Sequence, residues 1–403
     1  MNVKITPSVA KGEIQAPSSK SCAHRLLICA ALSDGESRIE NIGTNDDIDA
    51  TAECLRQMGA VINIDGTTAK VTGIGQAVRK VQMNLFCNES GSTLRFLIPL
   101  SLVFSKKVFF TGKGRLMERP QSVFEELFEE KGCFLGKEED GLVACGELKS
   151  GVYKLRGDVS SQFITGLLFT LPLLNGDSEI VLTTELQSAP YVDITIDILS
   201  RFGIVIEKGE NRYYIKGSQK YKAQNVVCEG DWSNGAFLDA FNLVEGGSVS
   251  VKGLRADSYQ GDKIYKDFYE KLSESSPRFD ISDCPDLGPV LITCAVLKHG
   301  AVINGTKRLK IKESDRGAVM AQELRKFGVD IELYEDHIII PDKAPQLPTE
   351  PIDCHNDHRI AMSLSVLCSV TGGELIGAQC VNKSYPEFFD DIKKLGINIQ
   401  INP

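Results

Sequence analysis

Two hydrophobic patterns take turns along the chain. The first is a run apolar on every face behind a short polar mouth, beginning near Lys20, Gly91, Ser161, Trp232, Asp286 and Asp357. Such runs predict helices buried all round. The second pattern is amphipathic and ends in a recurring stop: CLRQMGAVI at Cys54 to Ile62, LFEEKGCFL at Leu127 to Leu135, ILSRFGIVI at Ile198 to Ile206, ELRKFGVDI at Glu323 to Ile331 and DIKKLGINI at Asp391 to Ile399. The glycine reads as a C-terminal cap and the alternating residues after it as a strand. A degraded copy, KIYKDFYEKL, follows Asp262.

The buried-helix starts recur about every 70 residues, with one shorter step between Trp232 and Asp286. Self-similarity at a fixed period means repeated supersecondary units. Six units of two helices with strands between predict an α/β fold, three units to a domain, apolar helices inside and strands outside. The polar mouths then converge on one surface. Two such domains facing each other would line a cleft with positive helix ends.

Composition changes this picture little. The 403 residues, 42% hydrophobic and 25% charged, exceed one ordinary core, so two domains are expected. No apolar run resembles a signal peptide or a membrane span, and the expected location is the cytosol. Twelve cysteines lie scattered in apolar segments without C-x-x-C or zinc spacing, as reduced core thiols would. A net charge of −9 argues against a nucleic-acid surface. Concentrated cations must therefore serve a small local site.

Such cations sit in the mouths. Ser18-Ser19-Lys20-Ser21-Cys22-Ala23-His24-Arg25 places Lys20 in a first turn and Ser21 and Arg25 four apart on one face. Basic residues there oppose the helix dipole unless an anion occupies the mouth, although a solvated serine-capped start has the same composition. Gly91, with Arg95 one turn in, lets a ligand approach the backbone. Ser160-Ser161-Gln162 offers hydroxyls and an amide, and Ser188-Ala189-Pro190-Tyr191 opens an amphipathic helix. The acidic mouth at Asp231 reads as capping, and Asp286 would ordinarily cap as well. Alternation in a strand would send Arg308, Lys310 and Lys312 to one face. Together Lys20, Arg25, Arg95, Arg119, Lys312, Arg316, Arg359 and Lys383 surround the carboxylates Asp286 and Glu313. This suits two anionic substrates with proton transfer between them. Neither a P-loop nor H-E-x-x-H is present, and nothing requires a metal or cofactor.

SKSCAHR at Ser19 to Arg25, ESGSTLRF at Glu89 to Phe96, ERP at Glu118 to Pro120, SSQF at Ser160 to Phe163, SAPY at Ser188 to Tyr191, PDLGP at Pro285 to Pro289, KESDR at Lys312 to Arg316 and NDHRIAM at Asn356 to Met362 resemble one family across nearly the whole chain. That family is the 5-enolpyruvylshikimate-3-phosphate synthases. The resemblance implies a two-domain inside-out α/β barrel with three βαβαββ-type repeats per domain, the active site in the inter-domain cleft. One domain would comprise 20–229, the other 1–19 with 230–403. It implies transfer of the enolpyruvyl group of phosphoenolpyruvate to the 5-hydroxyl of shikimate 3-phosphate, in a monomer without cofactor.

Matched residue by residue, the implied shikimate 3-phosphate contacts are Lys20, Ser21, Arg25, Ser160, Ser161, Gln162, Ser188, Tyr191, Asp286 and Lys312. Those for phosphoenolpyruvate are Lys20, Gly91, Arg119, Gln162, Arg316, Arg359 and Lys383, with Arg95, Arg308 and His358 as further candidates. The resemblance implies that Asp286 and Glu313 carry the proton transfers, assisted by Lys20. Two other readings are a UDP-N-acetylglucosamine enolpyruvyl transferase, whose loop cysteine has no counterpart in Gly112 to Pro120, and a non-catalytic phosphometabolite-binding protein.

Overall fold

The computed structural model describes residues 1–75 and 80–402, which fold into two compact units, 18–229 and 1–17 with 230–403. The unit 18–229 shows the repeat most plainly between Lys80 and Cys145. Strand Lys80–Phe86 leads into helix Gly91–Phe104, strand Ser105–Thr111, helix Ser122–Glu130 and a hairpin of Phe134–Glu138 with Gly141–Cys145. The first two strands pair in parallel and the remaining ladders are antiparallel, with Val108 opposite both Met83 and Ala144. This βαβαββ order recurs from Val152–Leu155 to Arg212–Ile215. The remaining repeat of this unit closes on itself. Asn225–Val227, from the far end of the segment, supplies the parallel neighbour of Glu36–Glu40.

In the other unit the same order runs from Arg278–Asp280 to His337–Ile340. The last repeat is completed from the N-terminus, because Asn2–Thr6 lies between Gly373–Ile376 and Asn398–Asn402. Among the described residues Lys11–Gln15 pairs only with Ser248–Lys252, and this two-stranded sheet belongs to the short repeat. Its missing hairpin accounts for the short step between Trp232 and Asp286. Among the described residues the other sheets are four-stranded and separate, and most of their strands alternate exposed and buried positions, the buried ones covering helices. Helices inside and strands outside is the arrangement that the all-apolar runs required.

The buried helices form because burial outweighs local preference. In Gly91–Phe104, Leu94, Phe96, Leu97, Ile98, Leu100 and Leu102 are buried. Pro99 within a helix costs about 3 kcal/mol, while each large apolar side chain contributes about 1.5–3 kcal/mol. Packing therefore decides. The amphipathic helices stop where expected: Gly59, Gly132, Gly203, Gly328 and Gly396 all have positive φ, which only glycine adopts cheaply. The twelve cysteines are free thiols, and all but Cys145 are buried.

Two helices of unit 18–229 touch at Gly166, where a β-carbon would lie 2.5 Å from the Arg95 carbonyl oxygen and 3.1 Å from Pro99 Cγ. Gly166→Val should lower the unfolding free energy by about 2 kcal/mol or more, since overpacking a filled interface outweighs the gain in helix propensity. Urea titration measures it, and an unchanged midpoint would contradict this packing.

Candidate functional site

Each unit concentrates its site residues at helix starts, and the two groups differ in character. In unit 18–229, Ser19 caps the Lys20–Leu32 helix, its hydroxyl accepting from the Cys22 N–H. Lys20 Nζ reaches Asp47 Oδ2 at 2.9 Å, so a carboxylate already balances part of the positive mouth. Arg25 is buried and pinned: Nε donates to Thr195 Oγ1, Nη1 to the Ser21 carbonyl and Nη2 to the Tyr191 carbonyl. Burial pulls this guanidinium down to about 10, so it stays cationic at neutral pH. These bonds bring Lys20, Ser21 and Arg25 together with the Tyr191 turn. Ser188 stands at the start of that turn in the left-handed region, with φ 58°.

Gln162 joins the next two mouths. Its Oε1 accepts from Arg95 Nη1 at 2.9 Å and its Nε2 donates to Ser92 Oγ at 2.9 Å, which fixes which way the amide faces. Arg95 also donates to the Pro120 carbonyl and packs over Phe163. A β-carbon on Gly91 would lie 2.6 Å from Arg119 Nη1 and 3.8 Å from Gln162 Oε1. Gly91, Arg119 and Gln162 thus border one small space. Ser160 caps the Ser161–Thr170 helix through the Gln162 N–H, and Ser161 is buried beside it.

The unit containing 230–403 carries the carboxylates. Asp286 sits in a 3-10 turn, Pro285–Leu287, one step ahead of the Gly288–Leu297 helix. It does not cap that helix. Its Oδ1 pairs with Lys312 Nζ and with Arg316 Nη1, both at 3.0 Å, and its Oδ2 with Arg359 Nη2 at 3.0 Å. Burial alone would raise the Asp286 carboxyl, but Arg359, Lys312 and Arg316 hold it well below the usual carboxylate range. Arg316 is 1% exposed and also grips Asp357 Oδ2 at 2.9 Å and Glu313 Oε2 at 2.7 Å. Those carboxylates overcome burial and raise its already high pKa further. Burial lowers Lys312, with Asp286 opposing the change. Arg359 Nη1 donates to Ser233 Oγ at 2.5 Å, and Lys383 Nζ to the Asn356 carbonyl at 2.7 Å.

One expectation fails here. Lys307–Ile311 is a 3-10 turn and not a strand, so Arg308, Lys310 and Lys312 do not share a face. Coiling buries Leu309 against the Gly288 turn, leaves Lys310 exposed and turns Arg308 Nη1 to the Ser282 carbonyl at 3.3 Å. A strand would have stacked three like charges. The ordinary capping role expected of Asp286 is likewise absent. His358 lies buried in the first turn of the His358–Thr371 helix. Asp47, Ser92, Thr195 and Ser233, which hold site residues in place, were not singled out from the sequence. Asp47 lies in an acidic helix start and looks like a capping residue until Lys20 is seen beside it.

The fold is that of the enolpyruvyl transferases. The chain superimposes along its full length on EPSP synthase from Acinetobacter baumannii, with a TM-score of 0.79 at 23% identity and both chains wholly covered. The enolpyruvyl transferase NikO from Streptomyces tendae matches with a TM-score of 0.80 at 15% identity, over 99% of this chain and 98% of the other. The family model for EPSP synthase (3-phosphoshikimate 1-carboxyvinyltransferase) matches residues 5–392. A 3-phosphoshikimate 1-carboxyvinyltransferase from Clostridium kluyveri is 43% identical over 98% of this chain and 97% of its own. The chain belongs to the EPSP synthase family.

Asp286 generates a stability prediction. Its folded pKa is depressed, so its contribution is present above the unfolded value of about 3.9 and is lost as pH falls through the folded value. Asp286→Asn should lower unfolding free energy by about 3 kcal/mol at pH 7, with the gap closing only below about pH 4. Urea titrations at both pH values check this, and a gap independent of pH would contradict it.

Proposed function

We propose that the protein transfers the enolpyruvyl group of phosphoenolpyruvate to the 5-hydroxyl of shikimate 3-phosphate, releasing phosphate. The observation that carries the reading is the Asp286 cluster: one ionised carboxylate held by three cations, with Glu313 on the same arginine. A carboxylate kept ionised carries no proton of its own, and it can accept one from the hydroxyl once the anionic groups of the substrates draw its cations away. Family membership supports the same reaction.

Shikimate 3-phosphate is bound by Lys20, Ser21, Arg25, Ser160, Ser161, Gln162, Ser188, Asp286 and Lys312, with Tyr191 against the ring. Phosphoenolpyruvate is bound by Lys20, Gly91, Arg119, Gln162, Arg316, Arg359 and Lys383. Arginine forks hold phosphate and carboxylate oxygens in fixed directions, and lysines act as point charges. Glu313, having taken up a proton from solvent, donates it to the methylene carbon of phosphoenolpyruvate, assisted by Lys20. The 5-hydroxyl adds to the adjacent carbon as its proton passes to Asp286. From the tetrahedral adduct the carbon–oxygen bond to phosphate breaks, the leaving phosphate takes the proton held by Asp286, and the new methyl group returns a proton to Glu313, leaving the enol ether. The enzyme acts in the cytosol as a monomer and serves aromatic amino acid biosynthesis.

The test is phosphate release by the purified protein. Release should require phosphoenolpyruvate and shikimate 3-phosphate together, and UDP-N-acetylglucosamine should not replace the latter. Release with the nucleotide sugar alone, or with neither acceptor, would overturn the reading. Glu313→Gln should lower kcat by about 10²- to 10⁴-fold while shikimate 3-phosphate still binds. Near-normal turnover would remove Glu313 from the mechanism.

A further inference from the structure

The amphipathic helices end in one repeated motif, and its first position faces the core. That position holds Cys54, Leu127 and Ile198 in unit 18–229, but Glu323 and Asp391 in the other unit. All five are buried, Glu323 completely. Placing a carboxylate where the repeat elsewhere holds an apolar side chain costs stability unless the charge is fully bonded.

Both carboxylates are bonded in the same way. Each pairs one oxygen with the lysine three residues on: Glu323 Oε2 with Lys326 at 2.8 Å, Asp391 Oδ1 with Lys394 at 2.7 Å. Each sends the other oxygen to a turn next to a cation assigned to phosphoenolpyruvate, Arg359 or Lys383. Glu323 Oε1 meets His355 Nε2 at 2.9 Å, and Oε2 also accepts the Asp353 N–H at 3.0 Å. Asp391 Oδ2 accepts the Tyr385 hydroxyl at 2.7 Å, two residues after Lys383.

The turn at 353–359 needs such support. His355 and Asn356 are consecutive left-handed residues, with φ 49° and 53°, a conformation that costs energy for side chains bearing a β-carbon. The Arg316–Lys326 helix grips this turn twice. Arg316 and Glu323 are seven residues apart on one face, about 10 Å along the axis, Arg316 holding Asp357 and Glu323 holding Asp353 and His355. Between the two grips lies the Asn356 carbonyl, which receives Lys383, and just beyond them Arg359.

We propose that Glu323, with Asp391 as its repeat counterpart, is a positioning residue: through His355 and Tyr385 the two carboxylates set the turns that aim Arg359 and Lys383 at phosphoenolpyruvate. This rests on the assignment of Arg359 and Lys383 to that substrate. The leucine and isoleucine at the same repeat position indicate that Glu323→Leu leaves a packable core, while His355 and Lys326 are near enough to solvent to turn outward.

Steady-state kinetics combined with hydrogen exchange tests it. Glu323→Leu should raise KM for phosphoenolpyruvate about tenfold or more and leave that for shikimate 3-phosphate within about twofold. Amides of 353–359 should exchange faster. Glu323→Gln, whose amide can still accept from the Asp353 N–H and donate to a neutral His355, should restore most of both, and Tyr385→Phe should move the same KM without altering exchange at 353–359. Unchanged exchange in Glu323→Leu would overturn the anchor. Faster exchange with an unchanged KM would instead overturn the assignment of Arg359 and Lys383. Equal loss of both KM values and of thermal stability in the Leu and Gln variants would reduce Glu323 to a structural residue.

Discussion

A guanidinium with almost no access to water must be surrounded by carboxylates, and Arg316 is the case on which this structure turns. It bonds Asp357, Glu313 and Asp286 at once. Asp286 then serves two further cations, Lys312 and Arg359. Removing the carboxylates would leave several cations to repel one another in a poorly solvated space. With them present, a chain of net negative charge holds a dense local group of cations ready for anions. The same group explains how one carboxylate stays ionised where burial would protonate it.

The repeated unit is what makes such a group affordable. Each buried helix needs a polar start, because its first N–H groups have no partner inside the helix. Capping side chains at Ser19, Ser90, Ser160, Asp231 and Asp357 meet part of that need. The same mouths carry Lys20, Gly91, Gln162 and Arg359. Folding requirement and the proposed binding chemistry thus occupy the same few residues, so that a duplicated unit can change its chemistry by changing only its first turn. The short repeat shows the tolerance of this plan, since it lacks a hairpin and keeps both helices.

Sequence patterns carried much of this. Apolar runs, glycine stops and the period of about 70 residues are local signals, and they match the buried helices, the positive-φ glycines and the βαβαββ units. What they could not carry was nonlocal. Asn2–Thr6 completes a sheet with strands near the other end of the chain, and nothing in its five residues names those partners. Lys307–Ile311 alternates like a strand, yet it coils into a 3-10 turn that buries Leu309. Asp47 and Glu323 look like ordinary acidic residues of helices, and only their distant partners Lys20 and His355 show their use. Set side by side, the repeats mark Glu323 and Asp391, because the same position in unit 18–229 holds the apolar Cys54, Leu127 and Ile198.

In the proposed reaction, Arg316 and its carboxylates let a proton reach carbon and leave it again. Transfer carried out in deuterium oxide, with the product and remaining phosphoenolpyruvate examined by proton NMR, tests this most directly. Addition followed by elimination places a transient methyl group on the former methylene carbon, so deuterium should appear in the vinyl protons of the product. A product formed at normal yield with no deuterium there would contradict protonation at carbon, and with it the account of why these carboxylates stand among so many cations.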